Sequence, residues 1–233
     1  RFDKYSNLGS EYSPSANFKY KIDKNTNLFG LIGRSFRVPT FNDLYWPRED
    51  WGAWGGVEGN TNLTSEKCIA GELGFERKIG KYSITKLTYF RNEFDDLIDW
   101  TMDETLWWRP QNIGKATSQG IEFETKTVFW KYFETIFNYT YLRAKDDETR
   151  KYLIYRPSHK FDIDFFVRRF VGFDCRISGT YTTKRFTNST NTDYLDDFFI
   201  LNLDLNKTLN PFCDMFISFN NLLNRKYFRI QGY

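Results

Sequence analysis

The strongest constraint on this chain is an alternation of apolar and polar residues with period two, repeated from end to end. Phe18, Tyr20 and Ile22 alternate with Asn17, Lys19 and Lys21, and Ile121 and Phe123 with Glu122, Glu124 and Lys126. Phe161, Ile163, Phe165 and Val167 interleave with Asp162, Asp164 and Arg168, while Phe199, Leu201, Leu203 and Leu205 interleave with Asn202, Asp204 and Asn206. Successive side chains of a strand point to opposite faces, so each run reads as a two-faced strand. Ten strands are predicted, near 13–22, 27–36, 65–77, 82–94, 113–129, 132–143, 159–169, 172–185, 197–209 and 212–221, with no convincing helix between them. The segments 27–36 and 82–94 are less clean, with apolar residues on both faces.

The connections are of two unlike kinds, and the kinds alternate. Asp23 to Thr26, Gly80-Lys81, Trp130-Lys131, Phe170 to Gly172 and Asn210-Pro211 are tight, whereas 37–63, 95–112, 144–157 and 186–196 are long. A meander with every short turn at one end has two different rims. Outer-membrane barrels have this asymmetry, with alternating apolar-out, polar-in strands. A soluble sandwich or barrel shows the same alternation with its apolar face turned inward. Several segments exceed the roughly five or six residues of a globular strand and approach the ~9–11 that cross a bilayer at a tilt. Tyr82, Phe90, Trp130, Tyr132, Tyr141, Phe170 and Phe186 lie near strand ends, where an interfacial girdle would place them. Aromatic residues make up 20% of the chain, which suits a pleated surface. No apolar stretch reaches the ~20 residues of a membrane helix.

Charge and cysteine usage remove other classes. With 33 Lys+Arg against 30 Asp+Glu and no long basic run, nothing marks a nucleic-acid footprint. Cys68, Cys175 and Cys213 are dispersed and form no CxxC pair, so no metal site is expected. Cys175 and Cys213 share strand phases with apolar neighbours and read as small fillers. Asp95, Asp96 and Asp99, and Asp146, Asp147 and Glu148, lack the spacing of a calcium loop. A Ser/His/Asp device has one histidine to use, His159 beside Ser158, and paired carboxylates for glycoside hydrolysis are singled out nowhere. The chain is read as a non-enzyme without a cofactor.

Within this pattern, RSFRVPTFNDLYW (34–46) followed by GNTNLTSEK (59–67) resembles the paired signature of TonB-dependent outer-membrane receptors, through Phe36, Arg37, Pro39, Thr40, Gly59, Asn60, Asn62, Leu63 and Glu66. YFRNEFDDLIDW (89–100), NIGKATSQGIEFE (112–124), NYTYLRAKDD (138–147) with Arg156, Pro157 and His159, and FNNLLNRKY (219–227) are similar to successive blocks of the same barrels, in the same order. The resemblance implies an all-β transmembrane antiparallel barrel of about 22 strands around a plug. Ten strands are then its C-terminal portion, residues 1–233, with the plug and a closing strand beyond Gln231-Gly232-Tyr233 expected elsewhere in a longer protein. The opening RFDKYSNLGS has no signal-peptide pattern and fits that expectation.

The blocks look most like the cobalamin-receptor branch, notably from Asn92 through Leu97-Ile98-Asp99 to Gly120-Ile121-Glu122. Residues 38–58 contain no histidine, where haem receptors of the family often carry one. The resemblance therefore implies a monomer in the outer membrane of a Gram-negative bacterium, set in membrane lipid. It would bind a small-molecule ligand at its external loops and be driven by a TonB-type energy-coupling protein. Cobalamin is the first choice of ligand and a ferric siderophore the second. A soluble carbohydrate-binding β-sandwich is the alternative of another class.

The loop between the signature halves holds Phe41, Tyr45, Trp46, Arg48, Trp51 and Trp54, and a second loop holds Trp100, Trp107, Trp108 and Arg109. Broad amphipathic rings and fixed guanidinium planes suit a bulky ligand. Tyr45, Trp46, Arg48, Trp51, Trp54, Trp107 and Trp108 are the candidate ligand-binding residues. Loop packing or headgroup anchoring is the competing role for the same rings. Arg37 and Glu66 flank the first loop on adjoining strands and are expected to pair as a structural anchor.

Overall fold

Ten strands hydrogen-bond in strict sequence order, each antiparallel to the next. The computed structural model describes residues 2–5, 9–170 and 172–231. The strands are β1 (Ser15–Lys21), β2 (Thr26–Arg37), β3 (Glu66–Ile79), β4 (Ser83–Met102), β5 (Trp107–Phe129), β6 (Phe133–Asp146), β7 (His159–Phe170), β8 (Phe173–Thr182), β9 (Phe198–Asn210) and β10 (Cys213–Phe219). A small hairpin, Phe2–Tyr5 with Gly9–Tyr12, precedes them. Of the tight turn expected at Phe170 to Gly172, Val171 lies outside the described residues, as do Gly232 and Tyr233.

The pairing register turns the period-two pattern into two continuous faces. On one face, Tyr20, Leu28, Phe75, Leu87, Phe123, Tyr139, Phe161, Tyr181 and Phe199 stand opposite one another from strand to strand. One residue along, Asn27, Glu76, Lys86, Glu124, Asn138, Asp162 and Thr180 form a polar row on the other face. That face is internally bonded: Asn27 Nδ2 donates to Glu76 Oε1 at 3.0 Å, Lys86 reaches Glu124 at 3.3 Å, Thr180 donates to Asp162 at 2.7 Å and Arg176 pairs with Asp164 at 2.8 Å.

No second sheet covers the apolar face among the described residues. Ile163 remains 47% and Leu73 52% exposed, and Phe161 packs sideways on Tyr139 at 4.7 Å rather than against an opposing layer. A sandwich would bury these side chains, whereas a barrel wall presents them to lipid. The small buried cluster lies instead where residues 147–158 fold back, with Leu153 against Ala116 and Ala144.

The structure corrects the predicted elements in three places. The connection expected at 95–112 is mostly strand: β4 runs on to Met102 and β5 starts at Trp107, so both project beyond β3, whose pairing ends at Lys67 with Asp95. The segment expected to continue to 185 ends at Thr182, and Arg185–Phe186 pairs separately with Tyr194–Leu195. The loop between β2 and β3 contains a five-residue helix, α1 (Phe41–Tyr45), where no helix was expected.

Candidate functional site: the loop platform at the outer rim

Pro39 and Thr40 start α1, and the cause is local. Thr40 is the N-cap, its hydroxyl accepting from the Asp43 amide at 3.1 Å while Asp43 Oδ2 accepts from the Thr40 amide at 2.9 Å, a reciprocal capping box. Asp43 also accepts the Trp100 indole proton at 3.0 Å and one from Arg37 at 3.4 Å. Burial pushes the Asp43 carboxyl up, but the donors from Thr40 and Trp100 and the Arg37 charge outweigh it and hold it below its ordinary value. Arg37 Nη2 in turn donates to Glu66 Oε2 at 2.8 Å and to the Ile98 carbonyl at 3.0 Å, and Glu66 accepts the Ile98 amide at 3.0 Å. The expected Arg37–Glu66 pair is therefore present as an anchor between β2, β3 and β4.

The second half of the signature closes the same loop. The Asn60 amide donates to the Asp43 carbonyl at 2.8 Å, and its side chain donates to the Pro110 carbonyl at 3.0 Å. Asn60 Oδ1 accepts the Asn62 amide at 3.0 Å, forming a turn, and Leu63 is buried. Thr64 and Asn112 exchange bonds of 2.9 and 3.1 Å. Gly59 passes so close to α1 that a Cβ there would lie 2.6 Å from the Trp46 nitrogen. Phe36, on β2, faces Lys67 in the ladder.

Above this latch the loop adds a strand to the projecting hairpin. Gly56–Val57 pairs in parallel with Trp107–Trp108 and antiparallel with Glu49–Asp50. Glu58 accepts Arg109 at 2.7 Å and Arg48 at 3.3 Å, and Arg109 also pairs with Asp103. Hydrogen bonds from Thr105, chiefly its hydroxyl, hold the Asp103 carboxyl below its usual range despite some burial. Trp107 is clamped by two guanidiniums, that of Arg48 at 4.2 Å from its ring centre and that of Arg109 at 5.2 Å. A Cβ on Gly56 would meet that ring at 2.7 Å, so only glycine fits.

The candidate residues are thus brought to one rim but not onto one surface. Arg48 and Trp107 join in the clamp, and Trp107 is only 9% exposed. Trp46 sits edge-on to Trp100 at 6.0 Å, and Tyr45 packs on Phe41 at 5.0 Å. Trp51 and Trp54 stand outward, Trp54 at 81% exposure. Trp108, on the opposite side of the strand from Trp107, lines a separate cleft of about 180 Å³ with Ile154 and Asn188. Asp43, Asp103 and Asn112 were not singled out from sequence; the Thr40-Phe41-Asn42-Asp43 spacing carries a capping signal for the first, whereas the bonds of the other two span the loop-to-hairpin interface. His159 Nδ1 lies 2.9 Å from the Tyr139 hydroxyl, with no carboxylate bonded to it among the described residues.

Residues 1–222 match the family described as TonB dependent receptor-like, beta-barrel. The vitamin B12 transporter BtuB of Vibrio vulnificus (strain YJ016) is 31% identical over 194 residues, 82% of this chain and 26% of that protein. The ferric enterobactin receptor PirA of Pseudomonas aeruginosa is 28% identical over 180 residues, 68% of this chain and 24% of that protein. A crystal structure of a mutant of the ferric enterobactin receptor PfeA from Pseudomonas aeruginosa, in complex with enterobactin, superposes with a TM-score of 0.75 at 21% identity, covering 96% of this chain and 37% of that one. The chain spans less than a third of the length of the curated relatives it matches. A single-layer antiparallel wall with two unlike rims, an uncovered apolar face and the signature latch agree with these matches: the chain belongs to the TonB-dependent receptor β-barrel family of the Gram-negative outer membrane.

Proposed function

We propose that the chain builds part of the wall and the outer mouth of a receptor that captures cobalamin and imports it with energy relayed by a TonB-type coupling protein, which acts on parts of the receptor outside this chain. The observation that carries this reading is the platform itself: outward tryptophans at 51 and 54 mounted on a loop latched by Arg37, Asp43 and Glu66 and by the Arg109–Glu58 pair. Flat exposed rings on an ordered support favour a large, partly apolar ligand. The identity to a vitamin B12 transporter makes a corrinoid the first choice. A ferric siderophore is the second, favoured by the cationic Arg48 of the same loop, whose side chain stays 61% exposed although it pairs with Glu58. Either capture is non-covalent, with no bond chemistry.

Equilibrium binding of cyanocobalamin and of ferric catecholate chelates to the whole receptor separates the two. Trp51→Ala with Trp54→Ala is expected to weaken the true ligand roughly tenfold or more, the scale of aromatic hot spots, with unheated gel mobility unchanged. Unaltered affinity would remove these rings from the site, and tight binding of a ferric chelate without cobalamin binding would replace the first choice by the second.

A further inference from the structure

Two neighbouring tight turns repeat one pattern. Between Ile79 and Ser83, the last pair of β3 with β4, stand Gly80, Lys81 and Tyr82; between Phe129 and Phe133, the last pair of β5 with β6, stand Trp130, Lys131 and Tyr132. Gly80 has φ 62° and Trp130 has φ 58°. The indole thus takes a left-handed place that glycine adopts freely and a bulky residue adopts only at a cost. It gains little packing in return, being 83% exposed with its centre 6.2 Å from that of Phe133. A bare indole at a barrel rim is covered when it lies at the level of lipid headgroups.

The lipid-directed face between these two tips turns polar. Two residues beyond Leu87 and Phe123 toward the turns, the hydroxyls of Thr85 and Thr125 meet at 3.1 Å, and one further step brings Ser83 to Thr127 at 2.9 Å. Arg77 stands opposite Thr85 in the ladder. The Tyr82 carbonyl accepts the Val128 amide at 2.8 Å, which ties the first tip to β5. Arg77, Lys81 and Lys131 are exposed and have no ion pair among the described residues. Asp23, in the adjacent turn, is engaged by the Asn25 amide at 2.7 Å. Three free cations around a ladder of hydroxyls match an anionic headgroup that carries hydroxyls of its own, its phosphate on the cations and its alcohols on the threonines. Tips of three residues present no groove for a protein partner, whereas a bilayer also covers the ring. Tight turns of such barrels face the periplasm. We propose that Arg77, Lys81 and Lys131, with the hydroxyl ladder between them, hold a phosphatidylglycerol-type anionic phospholipid of the periplasmic leaflet.

The test uses the whole receptor in mild detergent and native mass spectrometry with phosphatidylglycerol and phosphatidylethanolamine of matched acyl chains. Phosphatidylglycerol should be retained at least tenfold better, and Lys81→Gln with Lys131→Gln should reduce its retention by roughly tenfold or more, the scale of two cations at a membrane surface. Thr125→Val with Thr127→Val, close in shape, should reduce it several-fold. Lys151→Gln, in a long loop at the opposite rim, should change nothing. Equal retention of the two lipids would overturn the proposal, as would undiminished retention by the lysine variant, an equal loss in Lys151→Gln or displacement of the lipid by millimolar inorganic phosphate. Absence of lipid preference together with tight binding of polyglutamate at this rim would assign it to an acidic protein instead. The comparison of lipids on the unsubstituted receptor decides the matter even where a variant fails to fold.

Discussion

The carboxylate at position 43 decides whether the outer loop is docked. It joins a capping box, an indole from the hairpin and the Arg37 guanidinium in one group. Asp43→Ala removes all three and should cost the docked loop about 1–3 kcal/mol, the range for orphaned buried partners; faster amide exchange over 40–62 with unchanged exchange in the strands is the expected reading. Because the folded carboxyl sits below its ordinary value, its contribution is complete above the unfolded value near 3.9 and is lost as pH falls through the folded one. Tryptophan quenching should therefore show the loop docked at neutral pH and loosened only in strong acid. The Arg37–Glu66 pair was legible because both ends belong to a spaced signature. The Asp43–Trp100 bond was not: it joins residues 57 apart that only the hairpin's projection brings together.

The projecting hairpin is the element that sequence patterning read least well. Pro110 sits within β5, opposite Trp100, and a proline in an alternating run ordinarily argues against a central strand. It is tolerated here because β6 stops accompanying β5 at Ala116, which leaves an edge open. The loop then uses that hairpin as a template through Gly56 and Val57. Gly56→Val would force a side chain into the Trp107 ring and should separate loop from hairpin. A several-fold fall in ligand affinity with an intact barrel on unheated gels is expected; unchanged affinity would show that the parallel bridge does not support capture. Most of the ten wall strands, by contrast, were readable from alternation, since the part of each that faces lipid keeps one face apolar, as in Phe161, Ile163 and Phe165.

For the molecule as a whole, the two faces make opposite predictions. Ile163→Arg, on the apolar face, should cost roughly 2–4 kcal/mol near the bilayer midplane, measured by reversible unfolding of the receptor in lipid vesicles. Thr180→Val, on the polar face, leaves Asp162 without its 2.7 Å donor and should cost less, about 1 kcal/mol. Equal costs would mean that the sheet does not divide lipid from lumen. The loop latch carries a kinetic consequence as well. Its backbone is already bonded within the folded chain, through Asp43, Asn60 and the Gly56–Val57 pairing, so under the proposed capture a ligand need not organise it, and the ordering entropy, about 0.5–1.5 kcal/mol per immobilised side chain, would be confined to the few outermost rings. Encounters with a dilute solute would then succeed at a rate set by diffusion and orientation rather than by waiting for the entrance to assemble.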